Sequence, residues 1–236
     1  METAHRGERT EIPGTRRAGE FFRQLSAEAM KEFEALEHAS VYPANAVLFM
    51  EKDTPQGVFV LLEGRVKLSI SSSEGKKLIL RIADAGELLD TTAAISGTPY
   101  EMTAETQHNC TVAFVRRDDF LRFLLKHPEA YRNVARELSQ NYQMACEKLR
   151  SVVLSSSVSE RLARLLLEWG RSGQETERGT RVKLSMTHEE IGECIGTSRE
   201  SITRTLSDFK HRKMVTLQGS TLMIPNRAAL ENFARA

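Results

Sequence analysis

Arg199, Glu200, Thr203 and Arg204 crowd into one short stretch of the chain, SRESITR. Their chemistry suits the edge of a base pair. An arginine fork donates two bonds to guanine, and a glutamate accepts from the amino group of cytosine. Such groups discriminate only when a rigid element presents them together. The residues around them supply one. Thr187 is a good N-cap, and Glu190 three residues later completes a capping box. The helix that follows buries Ile191, Cys194 and Ile195 on one side. Gly196 ends it, as glycine does where the chain enters a left-handed turn. Ser198 caps a second helix. There Ile202, Leu206 and Phe209 recur at four- and three-residue spacing and share an inward face. The polar four lie on the opposite face near the N-terminal end, where a recognition helix meets the major groove. Thr187, Thr197 and Ser198, hydroxyl residues at the two helix starts, complete the candidate DNA-binding set. An ordinary helical hairpin with a charged outer face has the same pattern.

The next residues narrow the choice. Lys210-His211-Arg212-Lys213 is a basic run, suited equally to phosphate contact or to a solvated face. Val215–Leu217 and Thr221–Ile224 flank Gln218-Gly219-Ser220 and read as a hairpin. A helix-turn-helix followed by a small hairpin is a winged helix. In that setting SRESITR resembles the recognition helix of the CRP/FNR family of bacterial transcription regulators. The resemblance implies that Arg199, Glu200 and Arg204 read a half-site close to TGTGA. It also implies a pseudo-palindromic duplex, a homodimer to bind it, and RNA polymerase as a protein partner.

Composition neither suggests nor opposes this. The formal net charge is +1, and Arg181 to Lys213 carries only a small basic excess. A local basic patch suffices for a nucleic-acid protein. No run approaches the ~18 consecutive apolar residues of a membrane span. The first 20 residues are polar and charged, so they read as a disordered arm rather than a signal peptide or anchor. A cytoplasmic location follows. Cys110, Cys146 and Cys194 are odd in number and widely spaced, which fits a reducing compartment. No nucleophile elbow, P-loop or dinucleotide fingerprint occurs.

Phe21 to Glu37 has a helical pattern opened by Ser26. From Ser40 to Val115 the period changes to short strands. These are Val47–Met50, Val58–Leu62, an alternating Val66/Leu68/Ile70, a turn at Ser71–Gly75, an alternating Leu78/Leu80/Ile82, and Thr103–Val115. Many short strands with glycine-containing turns imply a β-barrel or sandwich. The stretch from Gln56 to Leu68, QGVFVLLEGRVKL, resembles the cyclic-nucleotide-binding β-roll of the same family. The fold class expected is therefore α+β: an N-terminal double-stranded β-roll (jelly-roll) sensor domain, a long dimerisation helix and a C-terminal winged helix-turn-helix. The boundaries are an arm at 1–20, the sensor at 21–127, the helix at 128–154 and the DNA-binding domain at 155–236.

Within the long helix, Tyr131, Ala135, Leu138, Tyr142, Ala145, Leu149 and Val152 keep a four-three alternation. A coiled-coil seam gives this stripe, and so does a helix buried within one domain. The resemblance implies the seam, with the helix paired to its twin. Leu154-Ser155-Ser156-Ser157 reads as a hinge. A helix from Ser159 to Trp169 turns Leu162, Leu165, Leu166 and Trp169 inward. A polar loop from Gly170 to Gly179 and a strand at Val182–Leu184 lead to the helix-turn-helix.

The family's nucleotide-binding members hold the ribose with a Gly-Glu pair and the cyclic phosphate with an Arg-Ser pair. Gly86 and Gly97 set the register, and these positions become Asp90-Thr91 and Tyr100-Glu101. Thr91, Tyr100 and Glu101 are therefore the pocket candidates, and the phosphate clamp is missing. An insertion in Leu88 to Pro99 would shift the register and bring another residue, such as Arg81, to the phosphate. No cofactor and no metal site is predicted, and another small-molecule effector remains open. Three alternatives compete with this reading. A cupin-type enzyme needs several converging His and Glu ligands, but the barrel stretch holds only His108. A haem sensor would need an axial pair such as His108 and Cys110, yet Cys110 keeps register with Val112 and Phe114 as a core residue. Redox sensing would fall to Cys194, which shares the inward side of Ile191 and Ile195.

Overall fold

The computed structural model describes residues 19–154 and 157–235. Most of the expected arm, 1–18, and Ser155 and Ser156 of the expected hinge lie outside them. The chain folds as two compact units. One takes residues up to Glu74 and from Leu80 to Met144; the other takes Gly75–Ile79 and the chain from Ala145. The fold class is α+β, with a β-sheet unit first and a winged helix-turn-helix second.

The first unit opens with a 3-10 turn at Glu20–Phe22 and α1 (Ala27–Ala35). Ser26 caps α1, its side chain accepting from the Ala29 amide at 3.1 Å. The strands are β1 (His38–Tyr42), β2 (Val47–Phe49), β3 (Gly57–Glu63), β4 (Arg65–Ser71), β5 (Lys77–Asp84) and β6 (Leu88–Leu89). After a short α2 (Thr91–Ser96) come β7 (Thr103–Thr106), β8 (Cys110–Arg116), α3 (Arg117–Lys126) and α4 (Pro128–Leu149). Two four-stranded sheets result, ordered β1-β8-β3-β6 and β2-β7-β4-β5. β3 is apolar at successive positions because its sheet is covered twice. Val58, Val60 and Leu62 face a helical layer holding Phe21, Phe33, Phe120 and Phe123. Phe59 and Leu61 face the second sheet, where Val66, Leu68 and Ala104 meet them. A strand buried on both faces reads as a continuous apolar run rather than an alternation.

Three details depart from the sequence reading. Thr103–Val115 is two strands, broken at Gln107–Asn109. β5 buries Ile79 and Ala83 instead of Leu78, Leu80 and Ile82, which are half-buried. Leu78, Leu80 and Ile82 form the wholly apolar phase of KLILRIA, but the other phase also offers Ile79 and Ala83 beside Lys77 and Arg81, and packing buries those two. The long helix is α-helical only to Leu149 and continues as a π-helical turn over Arg150–Leu154, which puts Val152 outside the α-helical repeat.

The second unit comprises α5 (Val158–Arg171), β9 (Gln174–Thr176), β10 (Gly179–Lys183), α6 (His188–Ile195), α7 (Arg199–His211), β11 (Thr216–Gln218), β12 (Thr221–Ile224) and α8 (Arg227–Arg235). Its sheet is ordered β11-β12-β10-β9. Leu162, Leu166, Ile191, Ile202, Leu206, Phe209 and Leu222 fill the core. Leu165 and Trp169 are half-buried at its margin. The wing hairpin turns at Gly219, φ 57°. Among the described residues, no helix is long and apolar enough to cross a membrane.

Candidate nucleic-acid interface

The helix-turn-helix is held by its own caps. Thr187 Oγ1 accepts from the Glu190 amide at 3.2 Å, and Glu190 Oε2 accepts from the Thr187 amide at 2.8 Å. The reciprocal capping box is complete, as the sequence predicts. Gly196 sits at φ 66°, ψ 48° and ends α6. Gly192 is where the turn closes: a Cβ there would lie 2.6 Å from the Thr197 carbonyl oxygen, nearer than real contacts allow. Ser198 caps α7 through the Ser201 amide. Ile191, Ile195, Ile202, Leu206 and Phe209 are all buried. That leaves one outward surface, a shallow concavity lined by Arg199, Glu200, Thr203, Arg204, Ser207 and Asp208.

The electrostatics of this surface suit hydrogen-bonded recognition. The Glu200 carboxyl is held below the usual range by its own backbone N–H, the Ser198 hydroxyl and the Arg199 charge. It is an ionised acceptor, the state a cytosine amino group requires. Thr203 Oγ1 donates to the Arg199 carbonyl at 3.0 Å and lies 2.9 Å from His188 Nδ1. The sequence reading did not single out His188; only the folded geometry brings it to α7. In the basic run, Arg212 is tied to Asp208 and lies 5.2 Å from the centre of the Phe233 ring. Cys194 is 6% exposed, and burial pushes its thiol up to about 11. A thiol in that state is a core group, not a reactive thiolate.

The expected seam divides. Ala130, Asn133, Val134 and Glu137 are buried within the first unit, and Leu138 packs half-buried against the same core. Tyr131, Ala135, Tyr142, Ala145 and Leu149 point outward, with Tyr142 72% exposed. Tyr131, Tyr142 and Leu149 thus leave large apolar side chains exposed along one stripe of the helix.

The pocket candidates also separate. Tyr100 is buried, its ring stacked on Phe49 at 4.5 Å and its hydroxyl accepting from the Gln56 amide at 3.2 Å. Glu101 is exposed. Thr91 is buried and donates to Glu137 Oε1 at 3.1 Å. Arg81 is paired to Glu87 at 2.5 Å. Cys110 Sγ bonds to the Arg65 and His108 carbonyls inside the core, whereas the His108 side chain is exposed.

Glu137 is an acid the sequence reading did not place, and Asp90 entered it only as the counterpart of the glycine in the Gly-Glu pair. Burial pushes Glu137 up to about 7, against the opposing pulls of the Thr91 hydroxyl and Arg81; Glu87 and Glu20 add to the rise. Asp90, at φ 66°, has an Oδ2 with no hydrogen-bond partner among the described residues. Burial pushes it to about 7 as well, with Glu101 adding. Both groups hold protons that the unfolded chain releases at lower pH. Their stabilisation is complete below about pH 4 and is lost as pH rises through about 7, on the order of 3 kcal/mol for Glu137. Amide exchange in α2 and the first half of α4 should lose protection between about pH 4 and about pH 7 and level off above that, beyond the intrinsic change in exchange rate. Glu137→Gln keeps an acceptor for Thr91 and should flatten much of that loss; an unchanged pH slope in the variant would overturn the assignment.

A β-roll unit joined to a winged helix-turn-helix is the domain pairing of a class of transcription regulator, and comparison with known proteins places the chain more closely. The cyclic nucleotide-binding domain model matches residues 39–127, and the Crp-like helix-turn-helix domain model matches residues 160–233. The chain belongs to the CRP/FNR family of transcription regulators. It is 24% identical over 195 residues to a CRP-like cAMP-activated global transcriptional regulator of Mycobacterium tuberculosis, covering 82% of this chain and 87% of that one. It is 27% identical to the probable transcriptional regulator flp of Lacticaseibacillus casei, covering 90% and 94%. The c-di-GMP responsive global regulator CLP of Xanthomonas campestris has the same fold. Its TM-score is 0.75 at 20% identity, over 85% of this chain and all of that one. The relatives are regulators, which disposes of the enzyme alternative.

Proposed function

We propose that two copies of this chain associate along the outward stripe of α4 and bind a pseudo-palindromic duplex. Their α7 helices enter successive major grooves about one helical turn apart. The observation that carries this reading is the division of α7 into two faces. Ile202, Leu206 and Phe209 anchor it, while Arg199, Glu200, Thr203 and Arg204 project together from the other side. The half-site is TGTGA-like, with Arg199, Glu200 and Arg204 on its bases, and RNA polymerase is the protein partner. Fluorescence anisotropy with a duplex of two inverted TGTGA half-sites, against a scrambled duplex of equal length, tests it. Equal affinity for both removes sequence-specific recognition.

The sensor pocket does not hold a cyclic nucleotide by its phosphate. Where the family's clamp stands, this chain has a buried phenol, Tyr100, and an exposed acid, Glu101. The alternative cation Arg81 already has Glu87 as its counterion. An anionic phosphate there loses its charge-assisted bonds and meets like charge. Titration calorimetry with cyclic AMP and cyclic GMP should show no binding. The ligand in the name of the Xanthomonas relative makes c-di-GMP a third compound to titrate. Micromolar binding of either cyclic mononucleotide, coupled to tighter DNA binding, overturns the reading.

A further inference from the structure

The contact between His188 and Thr203 fixes more than helix packing. Thr203 is exposed, yet its hydroxyl is occupied on both sides. Oγ1 donates its one proton to the Arg199 carbonyl at 3.0 Å. With that proton on Arg199, the partner role left for His188 Nδ1, 2.9 Å from the same oxygen, is that of the donor in its Nδ1–H tautomer. His188 is the first residue of α6, so the bond spans the turn and ties the start of one helix to the outer face of the next. Rotation about the Thr203 Cα–Cβ bond would break two hydrogen bonds at once. The side chain is locked with its polar hydrogen turned back to its own helix. The γ-methyl is what it has left to offer.

We infer that Thr203 is a specificity residue that reads the C5-methyl of a thymine, and that His188 is the positioning residue that makes it an apolar reader. This rests on the reading of α7 as the helix that meets the bases. Contact between a threonine methyl and the thymine methyl is an established mode of base readout. Without the His188 donor the hydroxyl is free to leave Arg199 and seek a base edge, and the side chain becomes a polar, less selective contact.

The test uses the full chain and a half-site recovered by selection from random duplexes, with each thymine replaced singly by deoxyuridine, which lacks only the methyl. At one thymine the wild type should lose about fourfold in affinity, the worth of one buried methyl-sized group. Thr203→Ser, which keeps the hydroxyl, should bind thymine and uracil duplexes alike. Thr203→Val, which keeps a methyl, should retain the discrimination. His188→Ala should shrink it, and His188→Asn, which offers an amide donor at similar reach, should restore it in part. If Thr203→Ser discriminates and Thr203→Val does not, the hydroxyl reads the base and the inference is wrong. Wild-type indifference to every uracil, with specific binding intact, also overturns it. Loss of specific binding by the wild type itself would instead count against the proposed function.

Discussion

Tyr142→Glu should turn the proposed dimer into a monomer and weaken binding to a two-half-site duplex by about 100-fold or more. Tyr142 lies in the middle of the outward stripe of α4, with Ala135 before it and Leu149 after, and is the most exposed of the aromatic side chains on that helix. In a paired seam its twin lies close, and two carboxylates would face each other in a dry contact, where burying unpaired charge is costly. Two linked half-site contacts gain affinity of 10²–10⁴ over one, and a monomer forfeits that gain. Tyr142 is a cleaner probe than Leu138, whose side chain also packs against the core of its own unit. Sedimentation velocity reads the assembly, anisotropy reads the DNA, and affinity for an isolated half-site should barely move. A Tyr142→Glu protein that sediments as a dimer would refute the seam.

Arg204→Ala should cost about 1–3 kcal/mol on the specific site and relax selection at one base pair. The substitution should leave folding intact, since Arg204 lies on the exposed face while the α7 core is formed by Ile202, Leu206 and Phe209. Arg212→Ala is the matched control. That arginine is already engaged by Asp208 and the Phe233 ring, so its loss should leave base preference unchanged. A phosphate contact behaves differently from a base contact: its removal weakens all duplexes equally and lowers the salt slope by about one. Equal losses on specific and scrambled DNA would therefore reassign Arg204 to the backbone.

What the sequence made legible follows from how local each signal is. Thr187, Glu190, Gly196 and Ser198 act within a turn of where they stand, and the folded caps match them one by one. β6 has two residues and β9 is Gln-Glu-Thr, all polar; pairing defines both strands, and no residue pattern announces them. α8 carries a local signal of its own, with apolar Leu230 and Phe233 three residues apart after Pro225. The parity of β5 was lost for the opposite reason, since apolar residues occupy both phases. Glu137 carried a usable signal. It falls three residues after Val134 and seven after Ala130, on the inward side of a helix, where a carboxyl needs a partner. The His188 bond to Thr203 carried none, because it depends on the angle between two helices.

The near-total separation of the two faces of α7 has a consequence over evolutionary time. Arg199, Glu200 and Arg204 add little to the core, and exposed substitutions of this kind typically shift stability by no more than about 0.5 kcal/mol. The genomic address written on the helix can therefore be rewritten by a few mutations while the scaffold beneath stays intact. Duplicated copies can acquire new targets without first losing the old architecture. Thr203 is the exception, since its tie to His188 means that these two positions must change together.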